Sequence, residues 1–317
     1  MAVHLVGIQV KPLSSRDGLD VPVHRQGVNG RAILATSVGR GIIRDNKQRN
    51  SDVNLAERQM LDMLLKGRDE YGVVAVKAEF EAEGTRPDEF LRLLHLAHYA
   101  NLQVALKIGG CEAVSDLLAS RLYGVNHIIA PMVETPYALK KYVEAKDKTH
   151  GDNPEGVKFL FNLETQSTFE NLDAMVAAAR GNVDGVVFGR VDFTLSRAMP
   201  REAVNDPSIS AAVLKAAHAC RDNDLELVVG GSVSLAAIPA LREFRRVRLD
   251  RFETRKVIFD GSAIERANIE EGILNAVDFE TAWLKNKRDY YAAIAVEDAK
   301  RIDMMEKRQA AVRSAAA

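Results

Sequence analysis

The sequence predicts an α/β chain folded as a (β/α)8 TIM barrel with an extended C-terminal helical arm. Two observations carry this expectation. From residue 54 onward the hydrophobic pattern switches regularly between strand and helix periods, the alternation that builds a parallel sheet wrapped in helices. Polar residues also finish one apolar run after another, as expected where strand ends open into a barrel mouth.

Taken in order, residues 32–38 make the first expected strand, joined by a long irregular connection to a helix over 55–71. A valine-rich strand over 73–79 follows, then a helix over 87–101 opened by Pro87, whose fixed φ and missing N–H suit a first helical turn. Strands are expected at 103–108, 127–133, 157–163, 185–191 and 225–229, alternating with helices at 112–123, 136–146, 168–179, 209–223 and 235–244. A strand over 252–259 makes the eighth. The alternative of a doubly wound open sheet lacks its nucleotide signature, because no Gly-x-Gly-x-x-Gly turn follows an early strand.

Three regions follow. Residues 1–31 form an N-terminal segment or a cap over one barrel mouth, 32–261 the catalytic barrel, and 262–317 a C-terminal helical extension. In the extension Ile269, Ile273, Leu274, Val277, Trp283, Tyr290 and Ile294 keep a helical spacing for longer than a barrel helix needs. It packs on the same barrel or crosses to a second subunit, and a homo-oligomer is the expectation.

Composition narrows the function classes. With 47% hydrophobic and only 6% aromatic content, the 317 residues can bury a sizeable aliphatic core. The 43 basic and 44 acidic residues nearly cancel, which leaves no basic face to favour nucleic acid. Cys111 and Cys220 are the only cysteines, too few for a disulfide framework. No apolar run approaches the roughly 20 residues of a membrane span, and no basic stretch followed by an apolar core opens the chain, so a cytoplasmic protein without a membrane partner is expected.

Two segments suggest chemistry. Asn162-Leu163-Glu164-Thr165 and Phe188-Gly189-Arg190-Val191-Asp192 each place a carboxylate just past a predicted strand end. Glu164 and Asp192 are there two oxygen donors for one hard divalent cation that leaves positions open for water or substrate. Singly, Glu164 also reads as a helix N-terminal carboxylate and Asp192 as a turn residue. Lys77, Glu79, Glu81 and Lys107 finish two earlier strands. Gly230-Gly231-Ser232 precedes a helix, where a phosphate site or a plain serine N-cap both fit. Arg255 reads either as a ligand for a second carboxylate or phosphate, or as an ion-pair partner of Glu253 or Asp250.

The stretches 129–134 (IAPMVE), 161–165 (FNLET) and 184–193 (DGVVFGRVDF), in that order on consecutive strands, resemble the HpcH/HpaI aldolase and citrate lyase β-subunit family. The resemblance covers roughly residues 54–260. It implies a lyase of the pyruvate-aldolase kind, in which Mg²⁺ or Mn²⁺ binds a 2-oxo acid that reacts with an aldehyde or similar acceptor. By position it makes Glu164 and Asp192 the metal ligands, puts Asn162 beside the first, and gives the substrate carboxylate to the backbone around Gly189, Arg190 and Val191.

Departures from the family pattern bear on mechanism. Many of the family's aldolases carry Asp-x-Glu-His after the second strand, whereas this chain reads Lys77-Ala78-Glu79-Phe80. The base is then Glu79, Glu81, a metal-bound water or an N-terminal residue. Lys107 stands where the family has an arginine for the keto oxygen, and it supplies a point charge without a bidentate fork. It also permits a Schiff-base aldolase if its pKa is lowered, although nearby glutamates oppose that. A coenzyme A thioester lyase and a non-catalytic barrel binding an anionic metabolite are the remaining readings. Arg190, where relatives often have proline, would favour a more anionic substrate.

Overall fold

Eight strands close into a barrel in sequence order in the computed structural model, which describes residues 54–151 and 156–316. They are β1 (Val73–Glu79), β2 (Gln103–Lys107), β3 (His127–Ala130), β4 (Lys158–Leu163), β5 (Gly185–Gly189), β6 (Glu226–Gly230), β7 (Arg251–Glu253) and β8 (Val257–Asp260). Neighbours from β1 to β7 are parallel, while β8 runs antiparallel to both β7 and β1. The expected strand at 32–38 and the expected segment 1–31 lie outside the described residues, and the barrel closes by pairing β8 directly with β1.

The helices are α1 (Leu55–Lys66, continued by a π turn, Gly67–Tyr71), α2 (Pro87–Ala100), α3 (Val114–Tyr123), α4 (Pro136–His150), α5 (Gln166–Glu170), α6 (Leu172–Ala179), α7 (Arg190–Ser196), α8 (Pro207–Asp222), α9 (Ile238–Val247) and α10 (Ile269–Ala315). Local chemistry sets their starts. Asn54, Thr135 and Asp206 each accept a backbone N–H from the first turn, and Pro87, Pro136 and Pro207 occupy first-turn positions.

Among the boundaries that differ from the sequence expectation, two have a clear local reason. The strand expected over 252–259 is two strands, because Thr254 turns the chain: its N–H donates to the Val257 carbonyl at 2.9 Å while its Oγ1 accepts the Val257 N–H at 3.2 Å. The charged pair Arg255-Lys256 sits in that turn. The strand expected over 185–191 stops at Gly189, and Arg190 to Ser196 wind into α7, so Asp192 stands in a first helical turn.

Alternation along the strands sorts side chains into an outer core against the helices and a barrel interior. The interior is plugged by Ala75, Ala105, Ile129, Leu160, Val187, Val228 and Ile258. Two residues further along, Lys77, Lys107, Asn162, Gly189 and Gly230 face the C-terminal mouth. At the opposite end His127 contacts Arg251 at 3.0 Å, and Arg251 pairs with Glu226. Burial, with Arg251 and Lys158 nearby, pushes the His127 imidazole down to about 3 and keeps it neutral.

Helix α10 is 47 residues long, and Ile269, Gly272, Ile273, Ala276, Phe279 and Trp283 are its buried positions. Its first turns lie against α1 and the π turn, where Asn275 donates to the Met63 carbonyl at 2.9 Å. A Cβ on Gly272 would fall 2.8 Å from the Tyr71 Cβ. Gly272→Ala is therefore expected to destabilise the protein by about 1–3 kcal/mol despite alanine's better helix propensity, because both backbones there are fixed. Urea unfolding of the pair checks this.

Candidate active site

The mouth beyond the C-terminal strand ends encloses a cavity of about 520 Å³. Its floor is an alternating array of ammonium and carboxylate groups. Lys77 Nζ lies 2.5 Å from Glu253 Oε1 and 3.2 Å from Glu79 Oε1, with all three residues buried. Burial disfavours the Lys77 ammonium, but Glu253 and Glu79 outweigh it and hold the pKa above the ordinary lysine value. Burial likewise opposes the Glu79 carboxylate, and Lys77 and Lys107 override it to hold its pKa below the usual glutamate value.

The linked stability has a definite sign. Glu79 has a depressed folded pKa, so its contribution is present above the ordinary glutamate value of 4.5 and is lost as pH falls through the folded value. Lys77 has a raised folded pKa, so its contribution is present below 10.5 and is lost as pH rises through the folded value. Urea midpoints measured across pH should fall at both extremes. A Glu79→Gln variant should lose this group's share of the acid limb.

Lys107 Nζ sits 3.1 Å from Glu81 Oε2 and 3.8 Å from Glu164 Oε2. Burial pulls its pKa down, yet Glu164, Glu79 and Glu81 together raise it, so the amine is held as ammonium. That charge state opposes Schiff-base chemistry, which needs the free amine.

Glu164, 2% exposed, is fixed at both oxygens: Oε1 accepts the Met132 N–H at 2.9 Å and Oε2 accepts from Asn162 Nδ2 at 2.7 Å. Burial raises its pKa, Lys107 and these donors oppose the shift, and neighbouring Asp192 adds to it. Gly189 makes the room, since a Cβ there would stand 2.9 Å from the Glu164 Cβ. Asp192 is exposed on the cavity wall. Asn162 Oδ1 is buried without a hydrogen-bond partner.

This donor set fits a hard divalent cation. Glu164 and Asp192 offer carboxylate oxygens in one cavity, with an uncommitted amide oxygen on Asn162. Among the described residues no group of three or more His, Cys, Asp or Glu is arranged to hold a metal ion. Remaining coordination positions would belong to water or substrate.

The other sequence candidates divide. Glu79, Lys107, Asn162, Glu164, Gly189, Val191, Asp192 and Arg255 all line the cavity. The Arg190 side chain does not: it is 1% exposed, and its guanidinium donates to the carbonyls of Gly230 at 3.2 Å and Gly231 at 2.8 Å and to Asn205 Oδ1 at 3.0 Å. Arg190 is thus committed to the protein's own carbonyls and is not turned toward the cavity, contrary to the expectation that it binds substrate. Burial lowers its pKa to about 10. Arg255 lies 3.8 Å from Glu83 and 3.9 Å from Glu280, in place of the expected partners Glu253 and Asp250. Asp250 instead pairs with Arg248.

Some residues at and around the cavity carried no sequence signal. Glu83 ties the 254–256 turn to the loop after β1 through Lys256 and Arg255. Arg201 lines the cavity from a 3₁₀ turn, Arg201–Asn205, that has no hydrophobic period. Phe80, at the missing histidine's position, packs edge-on against Phe90.

Fold and mouth together define an α/β barrel with a charged cavity at the C-terminal ends of its strands. Residues 95–238 match the model of the HpcH/HpaI aldolase/citrate lyase family, the family that the sequence motifs resemble. The matched span holds Lys107, Asn162, Glu164 and Asp192 and leaves out Glu79, Glu253 and Arg255. No curated protein matches the chain. Among solved structures, the HpcH/HpaI aldolase from Desulfitobacterium hafniense DCB-2 aligns with a TM-score of 0.50 at 14% identity, over 65% of this chain and 84% of that one. An HpcH/HpaI aldolase/citrate lyase family protein from Burkholderia cenocepacia J2315 aligns with a TM-score of 0.49 at 12% identity, over 74% and 98%. At such identities the first likeness bears on fold alone. No described helix is long and apolar enough to cross a membrane.

Proposed function

We propose that this protein is a divalent-metal-dependent carbon–carbon lyase or aldolase that forms or cleaves a bond to the enolate of a pyruvate-like 2-oxo acid. The observation that supports this most is the buried Glu164 carboxylate, sharing one cavity with Asp192 and standing 3.8 Å from the Lys107 ammonium. Glu164 and Asp192 would hold Mg²⁺ or Mn²⁺. When bound, such an ion supplies Lewis acidity that spreads the charge of a developing enolate.

The chain's own residues do the rest. Lys107, held charged, places a positive group beside the oxygen on which enolate charge develops. Asn162 and the Met132 amide fix Glu164 in orientation. Backbone at Gly189 to Val191, opposite the glycine pair Gly230-Gly231, receives the acid's carboxylate. Glu79 accepts or returns a proton, its pKa held low enough to keep it ionised at neutral pH.

Oxalate, a planar mimic of the pyruvate enolate, tests the site. Calorimetry should show that oxalate binds only with Mn²⁺ or Mg²⁺ present and that Asp192→Asn weakens this metal-linked binding by about tenfold or more. Metal-independent oxalate binding would remove the basis for the metal role. We further propose a cytoplasmic homo-oligomer in which the exposed half of α10 meets a second copy. Light scattering at micromolar concentration should give more than one chain's mass, and a monomer would exclude it.

A further inference from the structure

Helix α10 carries two apolar stripes. The buried one, from Ile269 to Trp283, packs on the chain's own barrel. The other is Leu274, Val277, Leu284, Ile302, Met305 and Val312, each between 44% and 69% exposed. These six take the first and fourth places of a seven-residue repeat counted from Leu274, the spacing of a helix that winds on another helix. At about 100° per residue, Leu274 and Val277 fall on the side of α10 away from the buried stripe. The exposed stripe runs for roughly 57 Å at 1.5 Å per residue. Beyond Tyr291, side-chain pairs such as Arg301 with Glu297 and Lys307 with Asp303 stay within the helix.

Two charged residues that interrupt the stripe choose its occupant. Arg288 stands at a first place and Asp298 at a fourth, both exposed, with Arg288 beside its neighbour Asp289. Against a second copy running in the same direction, equivalent places would meet and stack Arg288 on Arg288 and Asp298 on Asp298. In opposite directions, first places meet fourth places. One alignment then sets Arg288 against the partner's Asp298, and twofold symmetry makes that contact twice. The same alignment sets Leu274 against the partner's Val312, Leu284 against the partner's Ile302, and small Ala295 against the partner's Tyr291. On the flanks Glu280 meets the partner's Arg308. Sliding by seven residues either way puts both charges against uncharged side chains. Lys287 would face the partner's Arg301, but each is answered within its own chain, Lys287 by Glu89 at 2.9 Å and Arg301 by Glu297. Asp278 would face the partner's Glu306, a repulsion that costs little at an exposed rim.

We propose that the 274–312 stripe of α10 forms an antiparallel coiled coil with the same stripe of a second copy, in the register that pairs Arg288 with the partner's Asp298. This rests on the homo-oligomer reading and adds to it the surface, the direction and the register. The Arg288–Asp298 contact fixes the register at some cost in stability, as polar groups in a coiled-coil seam do. Tyr291 is ready for its place, since its hydroxyl donates to Glu89 Oε1 at 2.8 Å and the Arg86 guanidinium lies 4.5 Å from its ring centre.

The test uses the full chain in sedimentation equilibrium, with charge reversal at the two positions. Arg288→Asp or Asp298→Arg alone should raise the dissociation constant about tenfold or more, because each sets like charges together twice. The double variant Arg288→Asp/Asp298→Arg should return it to near the wild-type value, a rescue that a folding defect would not give. A parallel pair would leave all three variants close to wild type. Cross-linking reads the direction independently, in a Cys111→Ser background because Cys111 is partly exposed. Leu284→Cys and Ile302→Cys should each fail to form a disulfide-linked dimer alone and should form one when mixed and oxidised. A monomeric wild-type chain would overturn both the coiled coil and the homo-oligomer reading. An oligomer in which single reversals bind as wild type does, or in which Leu284→Cys links to itself, would overturn the antiparallel seam and leave the oligomer standing.

Discussion

Glu164→Gln should abolish metal-dependent enolisation, lowering the rate by about 10³-fold or more, since a Lewis-acid contribution of several kcal/mol is lost at about 1.4 kcal/mol per factor of ten. The same substitution should leave the melting temperature unchanged or raise it. Glu164 is buried, and that burial raises its pKa by disfavouring the carboxylate, so an isosteric amide removes the cost of a desolvated charge. An amide oxygen can still accept the Met132 N–H. A variant that is at least as stable but inactive is the pattern of a functional carboxylate kept at a structural cost. Thermal melts and exchange rates measured on one preparation check both parts.

The second large effect is on stability. Lys77→Met should destabilise the protein by about 3–5 kcal/mol, because it leaves Glu79 and Glu253 as buried carboxylates without their cation. Glu253 is already poorly supplied, since its Oε2 is buried without a partner. Adding Glu253→Gln to Lys77→Met should return part of the loss, giving a coupling of about 0.5–3 kcal/mol in a double-mutant cycle. Urea unfolding of the four proteins measures it. Strict additivity would mean that the two groups do not depend on each other.

The barrel was legible in the sequence because its strands are short apolar runs separated by amphipathic helices, and β1 to β6 fall where that period places them. The antiparallel closure was not. Residues 252–259 read as one strand by composition, and only the hydrogen bonds between Thr254 and Val257 reveal a turn there. The charged Arg255-Lys256 pair was the available hint.

Site residues on strand ends were legible for the same reason. Lys77, Lys107, Asn162 and Glu164 are polar interruptions of apolar runs, and alternation turns them inward. Arg190 misled because a charged residue beside a predicted carboxylate site suggests a ligand. Its 1% exposure and three hydrogen bonds come from residues as much as 41 positions away, which local pattern cannot supply. Arg201 carried no signal at all: it lies in a short 3₁₀ turn, and only the tie between Arg190 and Asn205 explains its place at the mouth.

On the function proposed above, the cavity enolises a 2-oxo acid with a divalent cation held by Glu164 and Asp192. Solvent-deuterium exchange into the methyl group of pyruvate, followed by NMR with and without Mn²⁺ or Mg²⁺, tests it most directly. Exchange should require the metal and disappear in Glu164→Gln. Exchange that persists without metal and is lost in Lys107→Met would contradict it in favour of a Schiff base, and no exchange under either condition would contradict it outright.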